Sequence, residues 1–251
     1  MTPIFWSNRF SFEGSLNRKP YTLTGGLILI LLLGACASSG ERNTFTVPPG
    51  AEVGIVNLID SDLTHVTIGT TVFNNSIRSH ATGQFDFPGM VKNEIVEMLL
   101  ERGFHPVPVE VPDSLRKDDL ALGSTGWNGY RLKREYKNLF TEVLEEEGLD
   151  YLLVLDNRKG QDSVTGSPVH FGGHGLYTRS FFGSKKNFVY SNLWVHGVPS
   201  EPDLFLGYPG ADDVREVDFS EINEASLPEV TDILEDIISK KVADMPEELG
   251  L

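Results

Sequence analysis

The sequence predicts an α+β domain, α/β-like in its order: one mixed sheet, three main helices and a carboxy-terminal-half β-meander. Three observations carry this expectation. Apolar residues recur at helical spacing in three stretches, short buried-strand runs lie between them, and hairpin patterning takes over from Leu176. No internal repeat or second core is evident in the 251 residues.

Folding is expected to begin at residue 51, making 51–251 a single globular domain. Val53, Ile55, Val56, Leu58 and Ile59 form a nearly continuous apolar run, the pattern of a buried central strand. A second strand is expected over Thr64–Phe73, with Val66, Ile68 and Val72 on one face and Asn74-Asn75-Ser76 ending it. The first helix carries Val91, Ile95, Met98 and Leu99 and stops at Gly103, with Arg102 in its last turn. Val107, Val109 and Val111 alternate, but Pro106 and Pro108 each lack a ladder donor, which confines this strand to an edge. Residues 112–129 have no periodicity and read as a loop.

The second helix carries Leu132, Tyr136, Leu139, Phe140, Val143 and Leu144 and stops at Gly148, directly before a buried run over Tyr151–Leu155. The meander is expected over Leu176–Phe182, Phe188–Val195 and Leu204–Tyr208, with Gly183-Ser184-Lys185-Lys186 as its first turn. The third helix starts at a capping-box pair, Ser226 and Glu229. Its apolar face holds Val230, Ile233, Leu234, Ile237, Ile238 and Val242. Core packing accounts for all three stripes.

Charge and cysteine usage narrow the function classes. The chain has 21 Lys+Arg against 36 Asp+Glu, a net charge of −15, which opposes phosphate-backbone binding and argues for no nucleic-acid partner. One Cys excludes an internal disulfide framework. That Cys stands at the end of a leader. Arg9, Arg18 and Lys19 precede an apolar run from Leu23 to Ala35, shorter than the ~20 residues a spanning helix needs. Leu33-Gly34-Ala35-Cys36 closes it and resembles a bacterial lipobox. The resemblance implies a signal peptide over 1–35, lipidation of Cys36, and a flexible tether over 36–50 rich in small and polar residues. Ala37, where an Asp typically marks inner-membrane retention in such lipoproteins, implies the periplasmic face of the outer membrane, with the inner membrane as the alternative. Removing residues 1–35 leaves 18 basic against 35 acidic side chains, a balance of −17. A domain so charged depends on its lipid to hold a membrane.

The order of elements, with Val53-Gly54-Ile55-Val56, Arg102-Gly103-Phe104 and Glu147-Gly148-Leu149-Asp150-Tyr151, resembles a group of envelope α/β domains. The group comprises the curli-secretion lipoprotein family, the amino-terminal domain of the TolB family and the penicillin-binding-protein activator lipoproteins. This resemblance implies a protein that binds partners or assembles.

No chemistry-bearing motif is present. G-x-S-x-G, G-x-x-x-x-G-K-[ST] and H-E-x-x-H are all missing from the sequence. Gly123-Ser124-Thr125-Gly126 reads as a turn. His170 and His174, with His196 brought near by the meander, are the only imidazole set worth weighing as metal ligands; the flanking Gly172 and Gly173 favour a plain loop. Glu145-Glu146-Glu147 and Asp212-Asp213 read as solvated charge. Residues 171–208 hold nine of the 25 aromatics, and Trp194, Tyr190, Phe188 and Tyr177 are the candidates for a ligand or partner surface. The expectation is a non-enzymatic lipoprotein without cofactors, acting as an assembly or accessory component of the cell envelope with a protein partner or through self-assembly. A glycan- or small-molecule-binding module is the alternative, and a hydrolase with a dispersed site a weaker one.

Overall fold

In the computed structural model, two five-stranded sheets share a core closed by two helices. The structure describes residues 45–81, 85–112, 115, 123–124, 130–131, 134–157, 160–161, 169–181, 183–200, 206–208 and 214–251. The strands are β1 (Glu52–Asn57), β2 (Leu63–Ile68), β3 (Ser76–His80), β4 (His105–Val109), β5 (Gly123–Ser124), β6 (Tyr130–Arg131), β7 (Tyr151–Asn157), β8 (Gly160–Gln161), β9 (His170–Phe171), β10 (His174–Phe181), β11 (Ser184–Ser191), β12 (Leu193–Pro199), β13 (Leu206–Tyr208) and β14 (Val214–Val217). The helices are α1 (Phe87–Glu101), α2 (Arg134–Glu147) and α3 (Leu227–Leu249). The α+β class and the three helices are as the sequence implies.

The first sheet runs β13-β12-β7-β1-β4 and the second β14-β11-β10-β2-β3. In the first, β1 lies parallel between β4 and β7, and β12 returns antiparallel to β7. In the second, β2 is parallel to β10 and antiparallel to β3. The single sheet expected from sequence is therefore two. The chain crosses at Asn192, whose N–H donates to Gly173 O and whose Nδ2 donates to Phe171 O. That anchorage ends β11 in one sheet and starts β12 in the other, so the three-strand meander is instead two antiparallel pairs. The expected strand Phe188–Val195 is cut at this residue.

The main core joins Val53 and Ile55 of β1, Leu153 and Leu155 of β7, and Leu176 and Val189 of the second sheet to the inner faces of α1 and α3. On the opposite face of the first sheet, Tyr136, Phe140 and Leu144 of α2 pack on Val56, Leu152 and Val154. Opposite α1 and α3 on the second sheet, Val66, Ile68, Tyr177 and Tyr190 pack with Phe171. The apolar alternation along each strand thus serves two cores at once.

The helix ends follow backbone chemistry. Asp86 Oδ1 accepts the Gly89 N–H at 3.0 Å, capping α1. At the other end Gly103 takes φ +81°, letting the Phe104 N–H reach Leu99 O. The capping box expected at Ser226 does not form. Asn223 Oδ1 accepts the N–H groups of Ala225 and Ser226, while Ser226 Oγ donates to Glu221 O. Asn223 lies one turn earlier and captures those donors first. Asn223→Ala should cost about 1–2 kcal/mol in urea unfolding.

Further differences lie in the strands and the amino-terminal segment. The second strand stops at Ile68. Val72–Asn74 is a 3-10 turn, and Ser76, expected to end the strand, begins β3. In the β10–β11 hairpin Phe181 pairs with Ser184, so Ser184, Lys185 and Lys186, expected in the turn, belong to β11. The tether expected to reach residue 50 does not. Val47 is buried and its N–H donates to Gly250 O, and Phe45 stacks on Tyr151 at 5.7 Å. Apolar residues at 45 and 47 draw the segment onto the domain. Leu132, Leu204 and Asp212-Asp213, like Cys36, lie outside the described residues. No described helix is long and apolar enough to cross a membrane.

Candidate functional site

The aromatic candidates lie mostly inside. Tyr177 is fully buried and Tyr190 nearly so, and both rings sit 5.2 Å from Phe171. The Tyr190 hydroxyl donates to Gly172 O, and burial raises its pKa well above the usual phenol value. Trp194 is buried and stacks on His196 at 6.0 Å. Phe188 is half-buried beside Tyr177. Three of the four rings expected on a ligand or partner surface are thus core. For Tyr177 and Tyr190 the reason is that the second sheet is covered on both faces, by α3 on one and by the Val169–Phe171 segment on the other, whereas Trp194 lies on β12 of the first sheet.

The candidate histidines fall on three different strands, β9, β10 and β12. His170 is exposed, while His174 is fully buried and stacks 3.5 Å from Phe87. Neither His174 nitrogen has a hydrogen-bond partner, and burial lowers its pKa to about 3. His196 belongs to the other sheet, 4.0 Å from Asp156 Oδ2. Among the described residues no group of three His, Cys, Asp or Glu side chains is placed to hold a metal ion. Glu145, Glu146 and Glu147 point to solvent at the end of α2.

Other polar groups collect where the two sheets meet. Asn57, at the carboxyl end of β1, donates from Nδ2 to Pro88 O and accepts the Ile59 N–H, fixing α1 against the sheet. Lys241 of α3 is buried and donates to Ser191 O at 2.7 Å. Ser191 pairs with His174 across β10–β11. The Lys241 bond thereby fastens the end of β11 next to the crossing at Asn192.

The surface feature that stands out is the β2–β3 hairpin. Phe73 at its tip is 92% exposed and Ile77 on β3 is 57% exposed. β3 is an edge strand, bonded to β2 alone among the described residues. Arg78 and Ser79 are also exposed, and Arg78 pairs with His65 across the hairpin. His65 Nε2 lies 3.1 Å from Thr178 Oγ1, which gives its own proton to Asn187 Oδ1. The proton on that contact therefore sits on His65 Nε2. Burial, then the His80 and Arg78 charges, hold the His65 pKa below its ordinary value. Beyond His80 a shallow cleft of about 250 Å³ is lined by Leu63, Ala81, Ile222, Asn223 and Glu224.

Sequence reasoning missed this hairpin. The signal was present: Asn74-Asn75 is a turn pair, and Ser76-Ile77-Arg78-Ser79-His80 alternates behind it. Reading Val72 into the preceding strand hid it.

No protein-family model matches the chain, and no curated protein does. Three solved structures are similar in outline. Protein XCC0632 from Xanthomonas campestris, of family-model DUF330, is 11% identical with a TM-score of 0.35, over 83% of this chain and 90% of that one. The hypothetical protein CT253 from Chlamydia trachomatis is 7% identical with a TM-score of 0.36, over 80% and 98%. Lipoprotein GNA1162 from Neisseria meningitidis is 11% identical with a TM-score of 0.28, over 76% and 99%.

Proposed function

We propose that the chain is a lipid-anchored envelope protein, held by Cys36 on the periplasmic face of the outer membrane. It acts there as a non-enzymatic assembly or accessory component by binding a protein partner. The observation that carries the binding role is the β2–β3 hairpin, which holds Phe73 and Ile77 in water on an ordered edge. Keeping large apolar side chains hydrated forgoes about 1.5–3 kcal/mol each, and contact with a partner recovers it. The lipobox resemblance at Leu33-Gly34-Ala35-Cys36 supports the anchor.

Two measurements test the reading. Wild-type protein should stay in the membrane fraction through a high-salt wash, because a triacylated Cys needs no electrostatic help. Cys36→Ser should remain unlipidated and mislocalise while keeping its fold. A free, unmodified amino terminus at another residue in mass spectrometry overturns the anchor. For the binding role, mild crosslinking of the lipidated protein in its envelope should give discrete adducts, and a reproducibly solitary monomer overturns it.

A further inference from the structure

We infer that the β3 edge takes an extended strand of a partner protein with acidic residues at alternate positions and an apolar residue between them. This rests on the reading of the chain as a contact protein and names the chemistry of what it contacts.

The four sheet edges are not alike. β4 carries Pro106 and Pro108, which remove two ladder donors. β13 is three residues long. On β14 the charges are engaged, Arg215 with Asp236 and Glu216 with Lys186 at 3.0 Å. These are the usual protections of an edge. β3 has none of them. It has five residues, no proline, an exposed Ile77 and an exposed Arg78 with no carboxylate within 4 Å among the described residues. An unprotected edge of this kind is a template for strand addition.

Charge selects the occupant. The 23 residues from Leu63 to Phe85 contain no Asp or Glu, in a chain with 36 of them, and they include His65, Arg78 and His80. Strand alternation puts Ser76, Arg78 and His80 on one face and Ile77 and Ser79 on the other. An added strand therefore meets the Arg78 guanidinium at the middle of one face and Ile77 beside it on the other, with Phe73 beyond the hairpin end as an aromatic contact. A second copy pairing β3 to β3 about Arg78 would set two arginines directly opposite, which is unfavourable. Glu221 lies near His65 and Glu224 beside the His80 end, so recognition centres on Arg78. At ~8 Å screening in physiological salt, the net −17 left after removal of residues 1–35 does not mask this local cation.

The test uses the mature lipidated protein in detergent at 150 mM salt, with two blocked heptapeptides, one alternating Glu and Val and one alternating Lys and Val. Hydrogen exchange over residues 76–80 should slow with the Glu/Val peptide, which should bind roughly fivefold or more tightly than the Lys/Val peptide. Arg78→Glu should reverse the preference and Arg78→Gln should abolish it, each with an unchanged melting temperature. Equal binding of both peptides overturns the inference, as does protection away from β3. So does concentration-dependent self-association that protects β3 without peptide, which would make the occupant a second copy. If envelope adducts form equally in Arg78→Glu, the accessory role stands and the acidic-strand inference falls. If the peptide binds but the lipidated protein stays solitary in its envelope, the reverse holds.

Discussion

Gly175→Val should cost about 4 kcal/mol or more and leave most of the chain unfolded at 37 °C. Gly175 opens the β10–β2 ladder with φ +139°, a backbone conformation that side chains rarely adopt. A Cβ there would lie 2.5 Å from Thr64 O and 2.9 Å from Thr64 N. Both atoms are backbone of a paired strand, so the contact is relieved only by parting β10 from β2. That loss is a large share of the 5–15 kcal/mol that holds a domain together. Gly103 is the control: its φ is +81°, but nothing lies within 4 Å of a Cβ. Gly103→Ala should therefore cost only about 1 kcal/mol of backbone strain. Urea unfolding followed by circular dichroism compares the two, and similar midpoints would refute the steric account.

The second large effect is acid destabilisation through His174. Its pKa is 6.5 in the unfolded chain and about 3 in the fold, where burial disfavours the imidazolium. Between those values the unfolded chain binds the extra proton. The stabilisation is complete above pH 6.5 and is lost as pH falls, with a slope approaching 1.4 kcal/mol per unit. At pH 4.5 the loss should be about 2.7 kcal/mol, levelling off near pH 3. His65, also held low, adds a smaller slope of the same sign. His174→Leu should flatten the profile and cost little at pH 7.5, because two unpartnered buried nitrogens disappear with the ring. Identical slopes for the two proteins would show that another group sets the acid limit.

Much of the architecture was legible because its causes are local. The apolar stripes of α1 and α3 match their buried faces, Tyr136, Phe140 and Leu144 of the α2 stripe are buried with Leu139 and Val143 partly so, and Gly103 and Gly148 end helices with positive φ. Val53–Val56 reads as a central strand because it is buried on both faces. What escaped the sequence depends on distant partners. Asn192 looks like any polar residue in a strand until its bonds to Phe171 and Gly173 divide one sheet into two. Phe171, Tyr177 and Tyr190 look surplus to a single core because they fill a second one. Phe45 and Val47 look like part of a tether, and only Tyr151 and Gly250, far along the chain, give them a place. The β3 edge was hidden by an error of one turn, and its exposure depends on which strands the rest of the sheet left unpaired.

The clasp between Val47 and Gly250 also fixes an order of events. The Val47 N–H waits for a carbonyl at the far end of the chain, and Glu52 on β1 bonds Asp150, 98 residues later. Parallel pairing of β1 with both β4 and β7 requires the same long closures. Such topology folds on the millisecond-to-second scale rather than in microseconds. A chain delivered amino terminus first must hold one side of the apolar strand Val53–Val56 unpaired until Tyr151–Val154 arrives, even once β4 covers the other. Throughout that interval β1 is a target for aggregation or for a holding chaperone, and the last few residues complete the domain by sealing the first.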